Sequence, residues 1–229
     1  MGKIIFISGP SGVGKGTVIS ALQKRHPEWK FPPSCTTRSP RPGEKDGDTY
    51  FFISREEFEK RIEKGEFLEY AQVHNGNLYG TLRRPLVEGV ESGNIVVREF
   101  DVQGFAQARE KLPREYYISL FLKPAEGVDI LVQRIQERAP ISEEELQHRI
   151  HSMKQEIAQE NLYDHTVLSH HGEIDRMVED VEKVIAQETK GHDKKNSVIG
   201  ESRSPKSFCS EKGWNAWIGI FMLRAGRLI

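Results

Sequence analysis

The segment ISGPSGVGKGTV, residues 7–18, decides how this chain is read. It places four glycines and one lysine directly after an apolar run. Glycine loses more backbone freedom on folding than any other residue, so such a cluster needs a structural reason. Gly9, Gly14 and Lys15 carry the spacing G-x-x-x-x-G-K. The preceding KIIFIS (3–8) has the short, continuous apolar centre of a strand buried on both faces of a parallel sheet. KGTVISALQKRH, which follows, predicts a helix that stops before Pro27. Between strand and helix, backbone N–H groups without obstructing Cβ atoms can turn inward on a phosphate, and the helix adds its positive end. Lys15 then supplies a mobile point charge for β and γ phosphates. Gly16 stands where the strict motif has a hydroxyl, and Thr17 follows, which leaves open which hydroxyl approaches Mg²⁺. An ordinary glycine-rich turn is the competing reading, and the strand–loop–helix setting favours the phosphate cradle.

Working outward, the chain has 229 residues, enough for one sizeable core with an appendage, and a formal net charge of -1. That balance gives no overall field for nucleic acid or an anionic membrane. Two cysteines, Cys35 and Cys209, are too few for a disulfide framework and show no zinc spacing. The apolar run from Ile4 stops at Ser8-Gly9, unlike a secretory leader, so a cytoplasmic location is expected. Residues 191–229 differ in texture. They carry seven Lys/Arg against three Asp/Glu, are rich in breakers, and end in WNAWIGIFMLRAGRLI. The uncharged run from Trp214 to Leu223 is far below the roughly 20 residues of a membrane span. This extension is expected to be a linker or unstructured segment with a short apolar end.

Strands are expected at 94–100, 116–122 and 165–169, and helices over 55–64, about 143–160 and from Ile174 onward. Ser142 and Glu145 form a capping-box signature for the second helix. Ile174, Met177, Val178, Val181, Val184 and Ile185 form an apolar stripe on the third. Strands alternating with helices indicate an α/β fold with a mainly parallel sheet. The core is expected over 1–33 and 83–190, with a turn-rich small lobe inserted at about 34–82.

A phosphate loop alone leaves GTPase, ATPase and kinase open. SCTTRSPRPGEKDGDTYFF (34–52) adds Arg38 and Arg41, two guanidinium forks on one constrained loop that can grip a dianion, and Tyr50, a phenolic donor. A second phosphate site implies a second nucleotide. In GEFLEYAQVHNGNLYGT (65–81), Glu69 can accept from both N1–H and the 2-amino group of guanine, and Tyr79-Gly80-Thr81 is expected to close a turn. Adenine would leave that carboxylate unpaired, a rejection worth roughly 10⁴-fold or more. Glu99 and Asp101, two apart at the end of a strand, would share a face and point into one cleft. One would reach the guanine amino group and the other Mg²⁺-bound water.

From Lys3 to Lys190 the chain resembles the guanylate kinases, a nucleoside monophosphate kinase family. GPSGVGKGT, TTRSPRPGEKDGDTYFF, GEFLEYA, YGT and DVQG occur in that family's order. The resemblance implies a P-loop NTPase-type parallel sheet flanked by helices, a small GMP-binding lobe, and a helical lid over about 126–149. It implies transfer of phosphate from Mg-ATP to GMP, with dGMP left open, in purine nucleotide metabolism. ATP would lie on Gly9, Pro10, Ser11, Gly12, Val13, Gly14, Lys15, Gly16 and Thr17. GMP would meet Ser34, Arg38, Arg41, Tyr50, Glu69, Tyr79, Thr81 and the Glu99/Asp101 pair. Arg134, Arg138 and Arg149 would be the lid's charge carriers. Mg²⁺ would arrive on ATP, with Thr17 and Asp101 within reach through water. The chain departs from the pattern at Ala139-Pro140, where the lid commonly has glycine, and at Ser169-His170-His171, where an Asn-Asp pair is common near the ATP base. The two histidines are expected in a solvated turn. Two rivals are a catalytically silent module of the same shape, against which the intact Lys15 loop stands, and a kinase for another base, which gives no reason for Glu69.

Overall fold

The computed structural model describes residues 1–72, 76–138 and 142–193. Within them the chain builds two four-stranded sheets. The first is parallel throughout. β1 (Lys3–Ser8) lies between β6 (Ile95–Glu99) and β7 (Tyr117–Pro124), and β8 (His165–Ser169) follows β7. The apolar centre of β1 explains this placement. Ile5 and Ile7 pack into one core and Ile4 and Phe6 into another, and all four are fully buried. A central strand with helices on both faces cannot alternate apolar with polar residues.

On one face α1 (Lys15–Arg25) contributes Val18 and Leu22, and α7 (Ile174–Asp193) contributes Met177, Val178, Val181 and Ile185. Ile174, expected in the same stripe, is instead exposed at 44% because it begins the helix beyond the sheet. α5 (Val128–Arg138) adds Leu131 and Ile135 to this core, and α6 (Glu143–Ile157) adds Met153. The cap expected for α6 is present: Glu145 N–H donates to Ser142 Oγ at 3.2 Å. The helix ends at Ile157, earlier than the expected 160, and a separate single turn covers Glu160–Leu162. The opposite face is covered by α3 (Arg83–Glu91), with Leu86 and Val90, and α4 (Val102–Lys111), with Phe105 and Ala108.

The second sheet occupies residues 34–82. Its order is β3-β2-β5-β4, with β2 (Ser34–Thr36), β3 (Tyr50–Phe52), β4 (Phe67–Gln72) and β5 (Leu78–Leu82). α2 (Arg55–Glu63) drives Phe58 into a small core with Cys35, Phe67 and Leu78. Tyr79, Gly80 and Thr81 do not close a turn. They lie inside β5, paired to β2 on one side and β4 on the other, because Gly80 packs against the Phe58 and Phe67 rings. None of the helices among the described residues is long and apolar enough to cross a membrane. Ala139, Pro140 and the extension after Asp193 lie outside the described residues.

Candidate active site

The glycine loop runs from the end of β1 into α1, at the C-terminal edge of the parallel sheet. Gly9 has φ +146°, and a Cβ there would stand 2.4 Å from the Leu122 carbonyl oxygen. Only glycine fits. Gly14, at φ 108°, caps α1 without a side chain, so the first N–H groups of the helix keep their donors for a ligand. Lys15 folds back over the loop and donates from Nζ to the Gly9 carbonyl at 2.7 Å and the Pro10 carbonyl at 3.2 Å. Thr17 is exposed on the first turn of α1. Ser169 turns inward and donates to the Val13 carbonyl at 3.0 Å, bracing the loop from β8. His170 and His171 form an exposed turn around Glu126, His170 Nδ1 lying 3.5 Å from its carboxylate and His171 N–H donating to it at 3.2 Å.

Beside the loop opens a cleft of about 490 Å³. Its wall includes Gly16 from α1, Ser34, Tyr50, Glu69 and Tyr79 from the second sheet, and Glu99 from the end of β6. The phosphate loop and the second sheet thus share one cleft. Arg38 lies with its guanidinium carbon 5.5 Å from the Tyr50 ring and 5.4 Å from the Phe52 ring. It forks onto Glu44 at 2.8 and 2.9 Å and donates to the Tyr79 hydroxyl. Its Nε–H is buried with no acceptor among the described residues. The Arg38 fork and the Arg41 N–H, which donates at 2.6 Å, hold the Glu44 carboxyl down at about 2. The Arg41 side chain is exposed at the same turn.

Glu69 is half-buried, and burial pushes its carboxyl above the usual range, with Asp101 adding repulsion. Thr81, directly across the strand pair, pulls it partly back through hydroxyl and backbone hydrogen bonds. Asp101 does not share a strand face with Glu99, as the spacing predicted. β6 ends at Glu99, and Asp101 caps α4 by accepting the Gly104 N–H at 2.6 Å. A short polar side chain at a helix start satisfies the unpaired N–H groups there. Both carboxylates nevertheless line the cleft.

Arg149 is not brought to the cleft wall. It lies on α6, paired with Glu145 at 2.5 Å on an exposed face. Arg134 and Arg138 are on α5, four residues apart, with side chains outside the described atoms. Three residues escape sequence reasoning. Glu44 is masked because it reads as loop charge. Glu156 on α6 accepts the Ser11 N–H within electrostatic reach of Lys15, and burial raises its carboxyl. Arg98 lies in the cleft wall; in the sequence it is one of two adjacent charges, with Glu99, that interrupt the apolar run IVVREF, and nothing in that run points to its partners.

Among the described residues no three His, Cys, Asp or Glu side chains cluster closely enough to hold a metal ion. The oxygen donors near the loop, Thr17, Asp101 and Glu156, suit a hard cation that shares its coordination with a nucleotide's phosphates and water.

A phosphate loop that opens onto a second polar cleft defines a class, the phosphate-loop kinases that act on small acceptors. The family model described as guanylate kinase matches residues 1–188. A guanylate kinase of Synechococcus sp. is 44% identical over 169 residues, 74% of this chain and 90% of that protein. One from Caldanaerobacter subterraneus is 41% identical over 187 residues, 82% of this chain and 88% of that protein. The crystal structure of guanylate kinase from Anaplasma phagocytophilum matches with a TM-score of 0.64 at 28% identity, covering 82% of this chain and 86% of that one. The chain belongs to the guanylate kinase family.

Proposed function

We propose that the chain catalyses ATP + GMP ⇌ ADP + GDP with ATP on the glycine loop and GMP in the adjoining cleft. One observation carries the placement of GMP: Arg38, with a buried Nε–H lacking an acceptor among the described residues, converges with Tyr50 and Tyr79, two residues of the cleft wall. A phosphate there would give Arg38, Arg41 and the two phenols a common dianion, and Glu69 would face the base. Phosphoryl transfer needs in-line approach and neutralised oxygens rather than covalent help from protein. A GMP phosphate oxygen is the nucleophile and is already ionised, so no side chain need act as base.

Lys15 would leave the Gly9 and Pro10 carbonyls for the β and γ phosphates, and the loop N–H groups would hold them in place. Thr17, Asp101 and Glu156 are the residues that would hold the water of an Mg²⁺ carried by ATP, an ion that would lower the charge on those oxygens. Arg134, Arg138 and Arg149 would supply charge as the lid closes. The surface pair of Arg149 with Glu145 is of a kind worth little, so exchanging it for phosphate costs little. Closure excludes water that would otherwise hydrolyse ATP.

ADP release coupled to a reporter, with GMP, AMP, UMP or no acceptor, tests this reading. GMP is expected to exceed AMP in kcat/KM by roughly 10⁴-fold or more. Equal rates with GMP and AMP would overturn the assignment of Glu69 to the base.

A further inference from the structure

Arg98 is a charge that the phosphate chemistry leaves unused. It projects from β6 of the parallel sheet toward the second sheet. One terminal nitrogen donates to the Ser34 hydroxyl, Nε donates to Thr81 Oγ1 at 3.3 Å, and the other terminal nitrogen donates to the Pro32 carbonyl at 3.0 Å. Ser34 Oγ and Thr81 Oγ1 are 3.3 Å apart. Beyond Thr81 lies Glu69, its partner in register, which accepts from the Thr81 hydroxyl and N–H. Ser34, Arg98 and Glu69 all line the cleft.

The chemistry of these groups fixes the direction of each proton. A guanidinium only donates and a carboxylate only accepts, whereas a hydroxyl does both. A hydroxyl that accepts from Arg98 must aim its own proton elsewhere. The Thr81 proton goes to Glu69. The Ser34 proton then has Thr81 Oγ1, at a long 3.3 Å, or an acceptor brought into the cleft. The wall therefore offers a donor, Ser34 O–H, near an acceptor, the Glu69 carboxylate. Without Arg98 both hydroxyls are free to rotate and offer lone pairs instead.

We infer that Arg98 is a positioning residue for base selection, which orients the Ser34 and Thr81 hydroxyls so that the cleft matches a keto oxygen beside a ring N–H. That is the edge of a 6-oxopurine. The amino group and bare ring nitrogen of adenine would set donor against donor and acceptor against acceptor. The inference rests on the reading of this cleft as the guanine site.

The test is kcat/KM for GMP and for AMP in the full chain, its Arg98→Met variant and its Arg98→Lys variant. Arg98→Met is expected to lower the GMP value about 10- to 100-fold and leave the AMP value and the KM for ATP unchanged, so the GMP:AMP ratio falls by that factor. Arg98→Lys keeps a donor but cannot fork to three acceptors, and its ratio falls between the two. If Arg98 only ties the two sheets together, GMP and AMP lose activity in proportion. A GMP:AMP ratio equal to that of the unmodified chain, in Arg98→Met or, should that variant not fold, in Arg98→Lys, overturns the inference. An unmodified chain that uses AMP as well as GMP would instead overturn the guanine reading beneath it.

Discussion

Glu69 joins burial to recognition. Folding raises its carboxyl above the usual range, while the proposed contact with guanine requires the ionised form to accept two N–H groups. The sign follows. As pH falls, Glu69 takes up its proton earlier than a solvated carboxylate would, and the acceptor is lost. KM for GMP is expected to rise by about tenfold per pH unit below that point, with KM for ATP unaffected. Glu69→Gln should remove this component, and since titration of the GMP phosphate is common to both proteins, their difference isolates Glu69. Parallel profiles for the two would contradict the role. The residue scale was unevenly legible in the sequence. Gly9 and Gly14 answer local backbone demands, so their spacing announces them. Arg98 meets Ser34 across 64 positions of chain, and Glu156 meets Ser11 from a different element, so no spacing can reveal either.

At the scale of elements, β5 carries the second sheet. Gly80 sits between β2 and β4, and a Cβ there would stand 2.8 Å from the Phe67 ring and 2.9 Å from the Phe58 ring. Those rings stack with centroids 4.3 Å apart in a core of few residues and have little room to yield. Gly80→Ala is expected to cost about 1–3 kcal/mol, seen as a lower Tm, and to raise KM for GMP while sparing that for ATP. An unchanged Tm would show that the rings give way freely. β1 was legible because burial on both faces of the parallel sheet leaves an apolar run. α3 was not: Leu82 stands at its N-cap, and Pro85 and Gly89 interrupt it, Gly89 because Val96 packs where its Cβ would be. α4 was obscured because its cap, Asp101, reads equally well as the end of a strand. The short strands β2 and β3, three residues each, are defined by pairing rather than by pattern.

Across the whole described molecule, one parallel sheet carries the glycine loop and one mixed sheet supplies much of the wall of the cleft beside it. The sequence conveyed this division through composition, since the turn-rich stretch over 34–82 breaks the alternation of strand and helix on either side. It did not convey how the sheets are joined. Arg98, Pro32 and Ser34 form part of that junction, with Gln107 bound to the Tyr70 backbone and Leu68 buried in the core of the parallel sheet, and it exists only in three dimensions. The central claim is that two nucleotides bind end to end with their phosphates facing. Isothermal titration with adenosine and guanosine joined through five phosphates tests it most directly. One molecule should bind per chain, about 100-fold or more tighter than GMP alone, and Lys15→Met should abolish the gain. Binding no tighter than GMP alone, or two molecules per chain, would contradict it.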